Sequence, residues 1–455
     1  MDGGAIVDRM DERVRGDGMR KLRMLALTVV IVMIAAACTA DGDGDGDGDG
    51  TEQSENKGTV NVLSALSAEE GDALQAIIDD MITPEVDYTV EIEASEQFEE
   101  QFQIRADSGT LDLILLPQPG AIPEKAAAGS AVSLEDMGFD MDELAGTFGE
   151  YYLSLGEVDG AHYGFPTNAN YKSRVWYAKD DFDAAGYEVP TTWDELIALS
   201  DQIVADGKAP WCVGFESGTA TGWPATDWLE EIVLKTAGVD VYQQWATHEI
   251  PFNDPVVVNA AEMFGEIMFT EGYVLGGAEN TTALAFGDSP LPMFNEPADC
   301  YLHHQATFIS AFFPEGTEAG VDYDWFPFPA IDTSDTLFAG ELAVAFDNRQ
   351  EIVDFLERFS AEDVQCAMAG DPGLGRLSPN VNVGEDCYAN PILGEASGIL
   401  AEALANGTGG FDAGDQMPAQ VGSGSFWTGM VEYMQQGPDS LETVLADIDA
   451  SWPEE

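Results

Sequence analysis

Basic side chains are scarce in this chain: 17 Lys and Arg stand against 84 Asp and Glu in 455 residues, a formal net charge of −67. That deficit excludes nucleic-acid binding as a bulk property, because such binding is driven by counterion release around Lys and Arg. It argues equally against unaided adsorption to anionic lipid, and acidity this extreme suggests a saline habitat. Histidine is scarcer still, confined to His162, His248, His303 and His304. With so few, and with no Cys-x-x-Cys, a zinc cluster is not expected. The adjacent His303–His304 invites an acid–base or metal role, but in an apolar stretch it reads as one packed ring and one surface ring. Catalytic signatures are missing as well. No Gly-x-Ser-x-Gly, phosphate-binding Gly-rich loop or early Gly-x-Gly-x-x-Gly occurs. Carboxylate pairs mean nothing when 84 acids are present. No enzyme activity, metal or cofactor is expected.

What is present begins with Leu25 to Ala37, thirteen residues without a charge, preceded by Arg20, Lys21 and Arg23. The run is too short to span a bilayer, but basic flank, apolar core and small residues at its end are the layout of an export signal over 1–37. Met1 to Gly18 is acid-rich where such a signal is basic, so Met19 or Met24 is a plausible start. Ala35-Ala36-Ala37-Cys38-Thr39 resembles the processing box of bacterial lipoproteins, which implies acylation of Cys38 and residence on the outer face of the cytoplasmic membrane; ordinary signal cleavage before Cys38 is the alternative. The Asp-Gly repeat that follows cannot pack, since glycine loses most entropy on ordering and aspartates repel. Residues 38–57 therefore read as a lipidated cysteine and a flexible tether with an end-to-end distance of about 25 Å. Strict Asp-Gly alternation does not supply the spacing of a calcium loop. Four cysteines remain, Cys212, Cys300, Cys366 and Cys387; an even number in an exported chain predicts two disulfides, among three possible pairings.

The ordered part begins near Val60 and is long enough for two or three domains. "VNVLSAL" (60–66) reads as a strand. Ser67 and Glu70 can cap a helix reciprocally, with Leu74, Ile77, Ile78 and Met81 on one face. "YTVEIEA" (88–94) is a strand, 98–109 a helix, and "LDLILLPQPG" (111–120) a strand running into a loop. This alternation predicts a largely parallel α/β sheet, with Pro117, Gln118 and Pro119 at the strand ends where ligands meet such folds. Thr192 and Glu195 cap a further helix, 351–359 is helical, and Asp439 with Glu442 opens a last short helix. Several tryptophans lie in apparent loops: Trp211, Trp223, Trp325 and Trp427. Sugars present flat C–H faces to aromatic planes and hydroxyl rims to carboxylates and amides, so a cleft with both is a sugar site without catalytic geometry.

Three stretches in order carry a family resemblance. "VWYAKDDFDAAGYEVPTTWDELIALSDQI", "FEEQFQIRADSGTLDLILLPQPG" and "GSGSFWTGMVEYMQQGPDSLETVLADIDASW" resemble segments of the extracellular solute-binding proteins (family 1) of bacterial carbohydrate ABC importers, in particular the α-glucoside, maltose and trehalose binders. The likeness spans Val60 to Trp452. It implies a type II periplasmic-binding-protein-like α/β fold, two lobes joined by a hinge with three chain crossovers near 167–171, 325–330 and 375–380. The lobes would be 58–168 plus 330–376 and 169–329 plus 377–455. The assignment favours Cys212 with Cys300 and Cys366 with Cys387, the second bracketing the third crossover and limiting hinge motion. By position in the motifs, Tyr177, Phe426 and Trp427 face ligand, and Asn295 and Glu296 lie in a segment that in many members carries a tryptophan, replaced here near Ala298. Asp112 braces a loop, and Gln118, Glu216, Trp223 and Trp325 are candidates from loop placement. The resemblance implies a monomer that closes on a sugar and docks on permease subunits. A non-sugar solute (polyamine, peptide or metal complex), an exported glycan-active enzyme, or a purely structural or adhesive surface protein are the alternatives.

Overall fold

The computed structural model describes residues 58–453 apart from Glu96; the export signal, Cys38 and the whole tether lie outside the described residues. Twelve strands follow in order: β1 (Thr59–Ser64), β2 (Thr89–Ala94), β3 (Leu113–Leu116), β4 (Glu157–Val158), β5 (Ala161–His162), β6 (Phe165–Tyr171), β7 (Arg174–Ala178), β8 (Ala209–Trp211), β9 (Cys300–His304), β10 (Tyr323–Pro327), β11 (Thr336–Ala345) and β12 (Gly409–Phe411). One sheet runs β12-β11-β3-β1-β2, with β6 also paired to β11; a second runs β10-β7-β9-β8. The β1, β2 and β3 pairings are parallel, as the strand–helix alternation requires, whereas β11 is antiparallel to both β3 and β6. Every residue of β11 is buried, as expected for a strand covered on both faces.

Local chemistry starts the first helix where the sequence says it should. Ser67 Oγ accepts from the Glu70 amide (3.2 Å) and Glu70 Oε2 accepts from the Ser67 amide (3.0 Å), opening Ala68–Met81 with Leu74 and Ile78 buried. Thr192 and Glu195 repeat the device at Trp193–Ala205. The expected box at Asp439 and Glu442 does not form: Pro438–Ser440 is a 3₁₀ turn and the helix begins at Leu441.

The chain passes between the sheets at Lys172–Ser173, between β10 and β11, and after β12. The last passage lies at Asp412, later than the expected 375–380, because the helix Pro391–Asn406 and β12 stand with the first sheet and Ala413 joins the second core. Hydrogen bonds knit the passages: the Phe328 amide donates to Ser173 O (2.9 Å), the Lys172 amide to Leu337 O (3.0 Å) and the Asp412 amide to Phe338 O (2.8 Å). Beside them Arg174 is fully buried, its guanidinium 4.2 Å from the Trp325 ring, 4.5 Å from Trp176 and 5.0 Å from Tyr171. Burial lowers its pKa to about 9.

Disulfides join Cys212 to Cys300 and Cys366 to Cys387. The second ties the helix Glu362–Ala369 to the turn Glu385–Cys387, wholly before the third passage, so it does not bracket a crossover as expected. Backbones approach most closely at Gly120 and Gly422, where a Cβ would stand 1.9 Å from Met417 O and from Gly414 O respectively. Gly120→Ala is expected to destabilise by about 1–3 kcal/mol through overpacking. Gly146→Ala, in a helix with open space around it, should be neutral or stabilise by up to about 1 kcal/mol. Denaturant melts of the two variants check the contrast.

Candidate ligand-binding cleft

Where the two sheets and their passages meet lies a cavity of about 470 Å³. Its polar wall comes from the first sheet's side. Ser67 and Glu70 arrive from the capped helix start, Gln118 from the loop after β3, and Glu341 from β11. Arg376 Nη1 donates to Glu341 Oε2 (3.0 Å), and Asn168 Nδ2 donates to the same oxygen (2.9 Å). At the mouth, Thr219 Oγ1 donates to Glu99 Oε2 (3.1 Å), linking the helix Phe98–Ser108 to the turn Gly218–Ala220.

The opposite wall is aromatic. Trp223, Phe286, Phe308 and Phe312 are each half-buried and lean edgewise on one another, with Trp223 5.2 Å from Phe286 and 6.0 Å from Phe308, and Phe286 5.4 Å from Phe312. Trp427, 4 % exposed, adds an indole at the start of the helix Trp427–Gln436. Gly222 holds the two indoles in register: with φ 113°, it lies so close that a Cβ would meet Trp427 O at 2.3 Å.

The floor is ionic. Lys172 Nζ donates to Asp227 Oδ1 (2.8 Å) and to Asp412 Oδ2, and Glu230 accepts from the Ala413 and Gly414 amides (3.1 and 3.2 Å). Burial works against the Lys172 ammonium, but Asp227 and Asp412 outweigh it and hold its pKa well above the ordinary value. Burial pushes Asp227 up to about 7, opposed by Lys172 and reinforced by Asp412. Burial, with Asp412 second, also raises Glu230 and Asp415 well above the carboxylate range.

Both adjacent histidines are buried, correcting the expectation of one surface ring: His303 is 3 % and His304 5 % exposed, with Nδ1 atoms 2.9 Å from Cys212 O and 2.7 Å from Arg174 O. Burial lowers them to about 4 and about 3. The signs of the two sets oppose. Asp227, Glu230 and Asp415 bind protons more tightly folded than unfolded, so their contribution is full at low pH and is lost as pH rises through the folded values. The histidines are the reverse, costing stability as pH falls below their ordinary 6.5. The melting temperature should therefore rise from about pH 8 to about pH 6.5, where Asp227 titrates and the histidines do not yet oppose it. A fall over that interval in a calorimetric series would contradict this assignment.

Of the residues expected at the site, Gln118, Glu216, Trp223 and Trp427 line the cleft. Tyr177 does not: its ring lies in the core 4.6 Å from Phe182 and 5.9 Å from Phe326. Phe426 is fully buried against Trp245 and Phe252, and Trp325 lies over Arg174 in β10 rather than in a loop. Trp211 is likewise a buried strand residue. Asn295 and Glu296 are at the surface, outside the cleft lining, with Asn295 Nδ2 donating to Asp299. Asp112 accepts from the Asn61 amide and side chain and pairs with Arg349. Phe286, Phe308 and Phe312 were not anticipated. Phe308 and Phe312 share the short 3₁₀ helix Thr307–Phe312 and Phe286 comes from a separate turn, and the one local signal is Gly287, whose missing Cβ leaves room for Phe312.

Two α/β sheets joined by three passages, with a ring-walled cavity at the junction, define a type II binding-protein fold. Residues 64–355 match the family model of bacterial extracellular solute-binding proteins. The chain is 37 % identical over 411 residues to the osmoprotective compounds-binding protein GgtB of Synechocystis sp., covering 88 % of this chain and 93 % of that one. It is 39 % identical over 375 residues to the alpha-glucosides-binding periplasmic protein AglE of Rhizobium meliloti, covering 79 % of each. Among solved structures, the bacterial solute receptor AcbH, described as preferring β-D-galactopyranose, superposes with a TM-score of 0.73 at 19 % identity, over 87 % of this chain and 98 % of that one. The chain belongs to the bacterial extracellular solute-binding protein family.

Proposed function

We propose that the protein is the extracytoplasmic binding component of an ABC importer that captures a mono- or oligosaccharide of the α-glucoside class and delivers it to membrane permease subunits. The observation that carries this reading is the pairing of a half-buried aromatic wall with a wall of carboxylates and amides across one cleft, which suits the flat faces and hydroxyl rims of a sugar ring. The names of the two relatives support it. The lobes are 58–171 with 336–411, and 174–327 with 412–453. Ligand touching both stabilises the closed form, and no bond is broken. Acylated Cys38 anchors the monomer to the membrane.

A thermal-shift panel in high salt tests the reading with glucose, maltose, maltotriose, trehalose, sucrose, xylose and cellobiose. At about a hundredfold excess over Kd a binder adds about 2.7 kcal/mol to stability, and silence of every saccharide would discard the proposal. One observation favours a second reading: the cations lining the cleft, Lys172 and Arg376, are both ion-paired, while Glu216 and Asp288 add negative charge. Spermidine belongs in the panel for that reason, and a shift with it alone would replace the sugar by a polyamine.

A further inference from the structure

The floor of the cleft and the knot of the three passages are the same group of residues. Lys172 belongs to the first passage, and its amide bonds Leu337 O at the start of β11, just beyond the second. Its side chain lines the cleft, and its ammonium pairs with Asp412, the residue of the third passage, and with Asp227 on the helix Trp223–Ala237. That helix begins with the cleft's half-buried Trp223 indole, and Lys172 Nζ lies 5.7 Å from its ring centroid. Ligand oxygens of Asp227, Glu230 and Asp412 fall within 4.8 Å of one another, the spacing of a cation cage, and an ammonium borne on the chain itself lies against two of the three residues. Lys172 is 5 % exposed, so these interactions act in a low dielectric, where charge-assisted hydrogen bonds are strongest.

We propose that Lys172 is the positioning residue of the cleft: one buried ammonium holds the Trp223 ring at the ligand surface and ties the first passage to the third, so that the lobes turn about a fixed point beneath the ligand. The ligand-facing part of this inference rests on the proposed function; the mechanical part does not. Without the ammonium, Asp412 loses its charged partner on the first passage, and the tie between the first and third passages is gone.

Hydrogen exchange without ligand tests the inference in Lys172→Met, Lys172→Arg and Asp412→Asn. In Lys172→Met the amides of Lys172, Phe328 and Asp412 should exchange about tenfold faster or more, the equivalent of one lost hydrogen bond to a charged group, while those of Val62 and Leu115 in β1 and β3 keep their wild-type rates. Acrylamide quenching of the Trp223 fluorescence, taken as the difference from Trp223→Phe, should rise in parallel. Lys172→Arg, which keeps the charge, should restore both readouts. Acceleration spread evenly over β1 and β3, or failure of arginine to restore, would reduce Lys172 to a general stabiliser and overturn the proposal. Should Lys172→Met not fold, Asp412→Asn decides: it keeps the Lys172–Asp227 pair, leaves an acceptor for the Asp415 amide and removes the charge that ties Lys172 to the third passage, so a wild-type rate at the amide of residue 412 overturns the proposal. Maltose-induced thermal shifts, run alongside, judge the sugar reading separately. Wild-type silence with maltose counts against that reading and leaves the exchange result standing.

Discussion

Trp223→Ala is expected to weaken binding of the best saccharide in the panel by about 2–4 kcal/mol, the cost of truncating a central aromatic anchor, while the unliganded protein keeps most of its stability. The indole is half-buried at the start of the helix Trp223–Ala237, presses on Phe286 and Phe308, and is backed by Lys172. Truncation removes a flat face from the cleft and lets water reach the remaining rings. Trp427→Ala is a less clean experiment. That side chain is 4 % exposed, so its loss creates a core cavity costing about 3–5 kcal/mol whether or not ligand is present. Isothermal titration calorimetry on Trp223→Ala separates the two effects, and an affinity equal to wild type would remove Trp223 from the site.

Replacing Cys212 and Cys300 together by alanine should cost about 4–5 kcal/mol, because the bridge closes a loop with a sequence separation of 88. The corresponding pair at Cys366 and Cys387, separated by 21, should cost about 3 kcal/mol. The longer loop loses more freedom when closed in the unfolded chain, and that difference sets the order. Both sulfurs of the first bridge are buried, and alanine leaves no unpaired hydroxyl behind. Equilibrium denaturation of the two double variants measures the order directly; a loss below about 1 kcal/mol for the first would show that the reduced chain is already restrained there.

What the sequence made legible was local or motif-borne. Ser67 with Glu70 and Thr192 with Glu195 announce their helices because each box satisfies orphan amides within four residues. Asp439 with Glu442 has the same spacing, but Pro438 sets a 3₁₀ turn and Ser440 takes the cap position. The third passage was misplaced because β12 is Gly-Gly-Phe, two glycines and a single strand-favouring residue, recruited by parallel pairing to Thr336–Phe338 some seventy residues earlier. Tyr177 was drawn to the ligand by its motif, yet all of β7 is buried, so alternation could not say which ring faces a cavity. The aromatic wall was half legible. Trp223 stands out beside Gly222, whereas Phe286, Phe308 and Phe312 converge only after the chain between Trp211 and Tyr323 has folded.

The four half-exposed rings of that wall all hang from the stretch between the first passage and the second, and half of the carboxylates and amides that answer them, Glu70, Glu99, Gln118, Asn170 and Glu341, belong to the other side of the hinge. An arriving solute can thus be seated on a single plate before its hydroxyl pattern is read in full. Discrimination between epimers then falls to the later contact, so close relatives of the true cargo should differ more in how long they stay than in how quickly they land.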